Sequence, residues 1–520
     1  MWTGDWAATV ALGVFAFRDG GAGAVGLVGL LRMAPAALVA PFAATIADRV
    51  RREVVLAWVG VTRAVALGVA AAVIEADGPA GLVYAALVAA TVGQTLYRPA
   101  HSALLPTLCV TPTELTSANV VRGLLDSLAT LLGPLLAAVL LDLSGPAAVF
   151  AAAAGVSLLS TALVAGVRYE AAPRVGVVPA ARVLRQTVEG LHTIVADRHL
   201  TLLTALTTLQ TFTRGALTVF SVVVSIELLG LGEAGVGVLT AAVGAGAVAG
   251  SLALALLIGG GRLARWFGVG VALWGAPLAG IGVIPHQSAA ILLLALVGIG
   301  NALVDVGAFT LPARLADDAV LARTFAAFEA IITLGVGAGA IVTPLVIDAV
   351  GIRLALVLTG ALAPLAVLTG WRALHALDDR VRVRDTDIAL LQRVPMLRAL
   401  PEATIEQLAA GLTHASFPPG ELVFAEGDRG DDFYVIQQGE AEVVAEGGRL
   451  LRTIGPGDGF GEIALLRACR RTASVRAVTS LTLCTVSRDG FVAAVAGYSP
   501  STSTADELIA GHLGHLDRPR

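Results

Sequence analysis

The densest group of residues able to do chemistry is the run Phe460-Gly461-Glu462-Ile463-Ala464-Leu465-Leu466-Arg467-Ala468-Cys469-Arg470-Arg471-Thr472-Ala473-Ser474-Val475. Gly461 allows close backbone approach. Residues 462–466 predict one helical turn whose free N–H groups face outward and suit an anion. Glu462 can accept a hydrogen bond from a ribose 2′-hydroxyl. Arg471, returning from the loop, can pair bidentately with a phosphate, and Thr472 adds a hydroxyl beside it. No nucleophile–base pair, metal cluster or Walker loop is recognisable elsewhere, so the chain reads as a binding protein and not as an enzyme. The three cysteines, Cys109, Cys469 and Cys484, fit neither a disulfide framework nor a metal-ligand spacing.

A second group consists of ionisable residues inside long apolar runs: Asp5, Arg32, Arg63, Asp126, Arg214, Asp305 and Glu329. A charge at membrane depth costs at least about 2.5–3.5 kcal/mol, so such residues usually face a cavity. Asp126 and Asp305 sit well inside their runs and are candidates for proton coupling, with Arg32 as a further transport residue. Structural pairing with Arg32, Arg63 or Arg214 is the competing account. Asp5 and Glu329, nearer span ends, read as gate or interface residues. A third group lies in Ala44-Thr-Ile-Ala47-Asp48-Arg49-Val-Arg51-Arg52. Asp48 can cap a neighbouring helix, while Arg49 and Arg52 pair with carboxylates or lipid phosphates, closing a gate in one state and releasing it in another. A basic loop retained inside for topology alone is the plainer reading.

The elements that carry these groups follow from composition. Apolar residues make up 56% of the 520-residue chain and charged residues 14%, against roughly 25% charged in soluble domains. The excess is confined to residues 1–375. Runs near 2–17, 23–46, 54–74, 80–104, 119–141, 146–168, 200–228, 234–258, 267–285, 288–312, 325–348 and 353–374 predict twelve membrane spans. No basic segment precedes the first of them, so it does not read as a cleaved signal. Arg49, Arg51 and Arg52, then Arg168, Arg174, Arg182 and Arg185, then Arg262 and Arg265 follow even-numbered spans, whereas Glu75, Asp77, Asp142, Glu227 and Glu233 occupy the loops between. That bias predicts both termini in the cytoplasm of a multi-pass protein of the plasma (inner) membrane. The net charge of −4 leaves no nucleic-acid footprint.

Gly261-Arg-Leu-Ala264-Arg265-Trp-Phe-Gly268 falls after span eight where the Asp48 loop falls after span two. Two six-span halves, 1–168 and 200–375, joined by a cytoplasmic connector at 169–199, form a parallel-repeat plan. A charged linker at 376–387 follows, then a helical stretch, Ile388–Leu412. Short alternating segments with glycine turns at Gly420, Gly427, Gly439 and Gly457 come next: Glu421–Ala425, Asp432–Gln437, Glu440–Ala445, Leu450–Ile454, Ala473–Val478 and Leu481–Ser487. They predict a β-roll within a domain at 388–498, and a final helix near Ala505–Leu516 in the 499–520 tail could act as a lid. The fold class is therefore an all-α membrane domain of twelve helices plus a C-terminal α+β domain.

The Asp48 segment resembles the G-x-L-A-D-R-x-G-R-R loop of the major facilitator superfamily, with Ala44 and Arg51 at its two glycines. Leu132-Gly133-Pro134-Leu-Leu-Ala137-Ala138 is similar to the G-P-x-x-G-G element of antiporters in that superfamily, with alanines for the last two glycines. Thr187-Val-Glu-Gly-Leu191-His-Thr-Ile-Val-Ala-Asp-Arg-His resembles the segment before span seven in multidrug- and siderophore-exporter-like members. The Phe460 run matches, without a gap, the phosphate-binding cassette of cyclic-nucleotide-binding domains, F-G-E-x-A-L-x(5)-R-x-A. That resemblance implies that Gly461, Glu462, Ile463, Ala464, Arg471, Thr472 and Ala473 hold the sugar phosphate of a cyclic nucleotide. A Thr beside the Arg leaves the base open between cAMP, which is favoured, and cGMP. Together the resemblances imply a secondary active, proton-coupled exporter of small molecules that works in a lipid bilayer under cyclic-nucleotide control and needs no cofactor. The alternative is a non-transporting receptor built on a transporter shell. A cyclic-nucleotide-gated channel is disfavoured, since no Arg repeat or carbonyl filter sequence is found.

Overall fold

The computed structural model describes residues 1–49, 51–97, 100–101, 104, 112–166, 180–257, 262–315, 318–398, 400, 402–445, 448–467 and 469–496. It divides into two compact units, Met1–Asp378 and Asp379–Arg520.

Among the described residues, every secondary-structure element of the first unit is helical, as apolar runs must be when only the segment itself can satisfy its backbone groups. Its helices are α1 (Trp2–Arg49), α2 (Arg52–Glu75), α3 (Ala80–Gln94), α4 (Pro112–Ser144), α5 (Pro146–Ala165), α6 (Ala180–Ala196), α7 (Arg198–Val223), α8 (Gly232–Leu257), α9 (Leu263–Val283), α10 (Gln287–Leu315), α11 (Asp318–Val350) and α12 (Ile352–Leu391). A single π turn, Val224–Leu228, ends α7. Among the described residues ten helices are long and apolar enough to cross a membrane. The first two expected spans share α1, which breaks at Gly20 and Gly21, the latter at φ 62°. Of the run expected over 80–104, the described residues include the 15-residue α3 and further helical positions at Tyr97, Ala100, His101 and Leu104. α12 does not stop at its span. It continues through 376–387, read from the sequence as a linker, because no Gly or Pro interrupts residues 371–391.

Local signals start these helices. Asp197 caps α7, accepting from the N–H groups of His199 (2.6 Å) and Leu200 (3.2 Å). α9 is capped from a distance: Asp378 of α12 accepts from the Ala264 N–H at 2.7 Å and pairs with Arg265 Nε at 2.7 Å. α6, in the connector, rests on α11 through a Glu189–Arg323 ion pair at 2.8 Å.

Packing between helices is set by residues without side chains. A Cβ on Gly246 of α8 would collide with the Ala295 carbonyl of α10, and one on Gly298 of α10 with the Val243 carbonyl of α8. The same reciprocity joins Gly215 of α7 and Gly339 of α11, which lie against the Val336 and Phe212 carbonyls. In the Gly133-Pro134 element, a Cβ on Gly133 would come 2.6 Å from the Thr3 carbonyl of α1. Ala138 lies 2.7 Å from where a Cβ of Gly237 of α8 would sit. Small residues thus bring α4 against both halves of the unit, as expected of this element.

The second unit continues with α13 (Pro395–Arg398), α14 (Glu402–Ala410), β1 (Thr413–Phe417), β2 (Leu422–Phe424), β3 (Asp432–Gln438), β4 (Ala441–Ala445), β5 (Arg449–Ile454), β6 (Gly459–Phe460), α15 (Glu462–Leu466), β7 (Ser474–Ala477), β8 (Leu481–Ser487) and α16 (Arg488–Ala496). Two antiparallel sheets, ordered β1-β8-β3-β6 and β2-β7-β4-β5, make the roll. Ile436, Phe460, Val475 and Leu483 fill the space inside it. Leu391, Leu397, Phe433 and Phe491 form a second core, where the helices cover a sheet. The glycines read as turns, Gly420, Gly427, Gly439 and Gly457, all have positive φ. The stretch read as one helix over 388–412 is three helical pieces, broken near Arg393 and Leu400, with Pro395 opening the second. β1, β6 and α16 are additions to the sequence reading. The tail beyond residue 496, with the expected lid helix, lies outside the described residues, as does Cys109.

Replacing Gly298 by Leu should prevent α8 and α10 from closing. We expect a large loss of thermal stability and of monodispersity in detergent. Gly123→Ala, where a Cβ meets open space, should be neutral or slightly stabilising.

Candidate functional site

The Phe460 run folds into the wall of a pocket in the second unit. Phe460 closes β6 against Tyr434 of β3, and the chain turns at Gly461 (φ 92°) into α15. A side chain at Gly461 would be strained at that φ and would also collide with Arg471 Nη1. The loop then returns so that Arg471 is fixed by its own backbone: its N–H donates to the Asp428 carbonyl (2.9 Å), and its carbonyl accepts from the Gly427 N–H (2.9 Å). Gly461, Glu462, Ile463, Ala464, Arg471, Thr472 and Ala473, all expected at one site, line one pocket.

Arg471 is the centre of this geometry. Its side chain is buried, 4% exposed. Nη1 donates to the Gly461 carbonyl (2.9 Å) and Nη2 to the Asp432 carbonyl (2.8 Å). The guanidinium lies over the Phe424 ring at 4.1 Å and near Tyr434 at 5.6 Å. Its Nε is buried with no hydrogen-bond partner among the described residues. Burial pulls its pKa below the ordinary arginine value, opposed by Tyr434, Asp432, Glu462 and Asp431. Burial likewise pushes the Tyr434 hydroxyl up, helped by Asp432. Glu462 is 2% exposed in the same wall. The pocket therefore offers a desolvated cation with a donor to spare next to a buried carboxylate, enclosed by Phe424, Val443, Leu451 and Val475. An anionic ligand with hydroxyls and an apolar or aromatic body fits that lining.

Several residues here escaped the sequence reading. Phe424, Val443 and Leu451 arrive on β2, β4 and β5, and the Asp432 carbonyl on β3; only their strand alternation signals them. Arg452 also lines the pocket. Arg488, at the start of α16, braces the wall by donating to the Gly430 carbonyl at 2.8 Å.

In the membrane unit, Asp126 of α4 and Asp305 of α10 line one cavity of about 270 Å³, together with Arg122, Arg214, His101 and Asn301. Asn301 Nδ2 donates to Asp305 at 2.8 Å. Trp6, Thr130, Arg214, Val243 and Trp274 line both this cavity and a second, more apolar one of about 100 Å³. The indole N–H of Trp274, 3% exposed, has no hydrogen-bond partner among the described residues. The polar cavity lies toward the end of the bundle that holds Trp2, the start of α4 and the ends of α8 and α10. At the opposite end, where the first segment of α1 finishes and α8 begins, Arg18 and Glu233 form a two-pronged ion pair between the halves.

Arg32 does not join the two aspartates; its Nε donates to Thr91 Oγ1 at 2.9 Å. Its stem follows the second segment of α1, whose rotation takes it toward α3. Asp5, read as a gate or interface residue, pairs with buried Arg63 at 2.6 Å. Arg63 also reaches Gln94 at 3.3 Å, so this trio joins α1, α2 and α3. Arg52 opens α2; the side chains of Asp48 and Arg49 lie outside the described residues.

Comparison with known proteins adds family. The Major Facilitator Superfamily model matches residues 1–319, and the cyclic nucleotide-binding domain model matches residues 414–498. A cAMP-dependent protein kinase regulatory subunit of Emericella nidulans is 42% identical over 104 residues, 20% of this chain and 25% of that protein. One of Yarrowia lipolytica is 40% identical over 116 residues, 22% of this chain and 31% of that protein. The chain thus spans about a quarter to a third of the length of these curated relatives. Among solved structures, the regulatory domain of Toxoplasma gondii PKA with cAMP is 28% identical, covers 21% of this chain and 44% of that one, and has a TM-score of 0.21.

Gly461→Ala should shift the Arg471 guanidinium and cost at least about 1–2 kcal/mol in backbone strain alone. Lower unfolding stability of the second unit, read by hydrogen exchange over residues 424–475, checks this.

Proposed function

The chain belongs to the Major Facilitator Superfamily and carries a C-terminal cyclic nucleotide-binding domain, and from that premise we propose a proton-coupled exporter of small molecules regulated by cytoplasmic cAMP. One observation carries the transport reading: a single cavity collects a carboxylate from each half, Asp126 and Asp305, beside Arg214 and the Trp274 indole, whose N–H has no partner among the described residues. A substrate there meets proton acceptors, a cation and a hydrogen-bond donor. With the termini in the cytoplasm, as the Arg bias supports, the cavity belongs to the inner end and Arg18–Glu233 to the outer gate. The conformation is then inward-facing. Asp48, Arg49 and Arg52 would form the inner gate, which closes when the outer pair parts.

The regulatory reading rests on Arg471. A cyclic phosphate supplies the acceptor that its Nε lacks, and Glu462 accepts from the ribose hydroxyl. Ile463, Ala464, Thr472 and Ala473 enclose the sugar phosphate. The relatives in this segment are named for cAMP, which favours cAMP over cGMP.

Two measurements test these statements. Calorimetric titration of the full chain with cAMP should show binding that weakens about tenfold or more in Arg471→Lys, which keeps the charge but loses the planar fork. It should weaken further in Arg471→Ala, since each charge-assisted bond is worth about 1.5–3 kcal/mol. For coupling, the cAMP affinity of the chain with Arg18→Cys and Glu233→Cys cross-linked by a short bis-maleimide is compared with that of Arg18→Glu, which repels Glu233. Different affinities are expected, and equal ones would sink the regulatory reading. A chain that binds cAMP but leaves a pH gradient undisturbed in proteoliposomes, with every dye and drug offered, would favour the receptor alternative.

A further inference from the structure

A second cluster of ionisable side chains in the C-terminal unit lies outside the nucleotide pocket. β1 and β8 are antiparallel neighbours, and His414 stands directly opposite Cys484, so the two side chains leave the same face of the sheet. Asp387, on the last turns of α12, meets them there. Its Oδ1 is 3.2 Å from His414 Nε2 and 3.9 Å from Cys484 Sγ. The three ligand atoms all lie within 4.8 Å of one another. Asp387 is 4% and Cys484 0% exposed, whereas the His414 side chain is 38% exposed.

Two features distinguish this arrangement from a satisfied core contact. A carboxylate is almost fully removed from water, yet its polar partners among the described residues are a thiol and an imidazole, neither a permanent cation. The spacing is also that of a coordination shell. Ligands bonded at about 2.0–2.3 Å around a tetrahedral ion stand roughly 3.3–3.8 Å apart, so the two measured edges need only small adjustments.

We propose that Asp387, His414 and Cys484 bind one borderline-soft divalent cation, Zn²⁺ by preference, with a fourth position open to solvent beside His414. One sulfur, one imidazole nitrogen and one carboxylate oxygen select that class over Ca²⁺ or Mg²⁺, which take oxygen ligands. The free thiol is pushed up to about 12 by its burial and by Asp387. Binding therefore breaks the S–H bond as the metal–sulfur bond forms, and the proton goes to solvent. Affinity accordingly rises with pH. The ion would pin the end of α12 to the β1–β8 pair, adding a coordinate link to the core in which Leu390 and Leu391 pack with Cys484 and Val486.

The test uses the full chain in detergent, stripped with a chelator and titrated with Co²⁺ and then Zn²⁺. One Co²⁺ per chain is expected, with a thiolate-to-cobalt charge-transfer band, release of about one proton per ion, and displacement by Zn²⁺. Cys484→Ser should abolish the band. His414→Ala, at a half-exposed position that should not disturb folding, should keep the band but weaken binding about tenfold or more. Cys109→Ser and Cys469→Ser should change nothing. Absence of the band in the wild type, its survival in Cys484→Ser, or unaltered affinity in His414→Ala would each overturn the assignment.

Discussion

Hydrocarbon offers a peptide group no hydrogen-bond partner, and most of the membrane unit follows from that. Each apolar run must close its bonds within itself, which leaves helices as the only building element and makes their surfaces the only means of contact. Between such surfaces there is little hydrophobic drive, because lipid tails are as apolar as leucine. Close approach must supply the attraction instead. The reciprocal contacts of Gly246 with Ala295 and Gly298 with Val243 meet that need, since any Cβ would separate the two backbones and lose the dispersion contacts along the whole seam. The polar exceptions are held in the same economical way. Arg63, inaccessible to solvent, is matched by Asp5 and Gln94, and Asp378 serves at once as helix cap and ion-pair partner for α9.

In the C-terminal unit the governing problem is reversed, because here charge is taken out of water on purpose. Arg471 loses hydration, and two backbone carbonyls and two aromatic faces replace only part of it. The remainder is a standing preference for an anion, built into a wall that a ligand can reach. Glu462, at 2% exposure, sets a carboxylate able to accept from hydroxyls in the same wall. The pair is therefore suited to a ligand that carries both groups on one rigid frame, as a ribose cyclic phosphate does. Phe460 couples this site to the fold, because its ring stacks on Tyr434 while the next residue makes the left-handed turn into α15.

What could be read in the sequence was what lies close together along it. The nucleotide cassette is sixteen consecutive residues, and the structure gathers its seven candidates into one pocket. Phe424, Val443 and Arg452 were invisible because strand register, not spacing, brings them there. Asp126 and Asp305 were legible through the cost of burying a carboxylate. Arg32 carried the same signal yet points toward Thr91, since cost says nothing about helix rotation. Nothing signalled that Arg18 and Glu233 would meet: each sits at a span end, where charge is cheap. β1 was missed because its sequence, Thr413–Phe417, is short and half polar, and only pairing with β8 makes it a strand. His414 and Cys484, seventy residues apart, become cross-strand neighbours by that same pairing, so ligand spacing along the chain could not disclose them.

The strength of the Arg18–Glu233 contact bears on whether a nucleotide could govern transport at all. A ligand shifts a conformational equilibrium only by the ratio of its affinities for the two states. Reversing a bias of about 5.5 kcal/mol would demand a preference of roughly ten-thousandfold in the nucleotide pocket. Arg18 is half exposed, and a pair of that kind contributes at most about 1 kcal/mol, or roughly a fivefold bias. If the seams between the halves are otherwise balanced, as alternation itself requires, a nucleotide preference of about tenfold, worth 1.4 kcal/mol, is enough to change which state predominates. A weak Arg18–Glu233 latch and a modestly state-selective sensor therefore belong together. A buried, fully paired latch in the same place would have put transport beyond the reach of a regulatory domain of this kind.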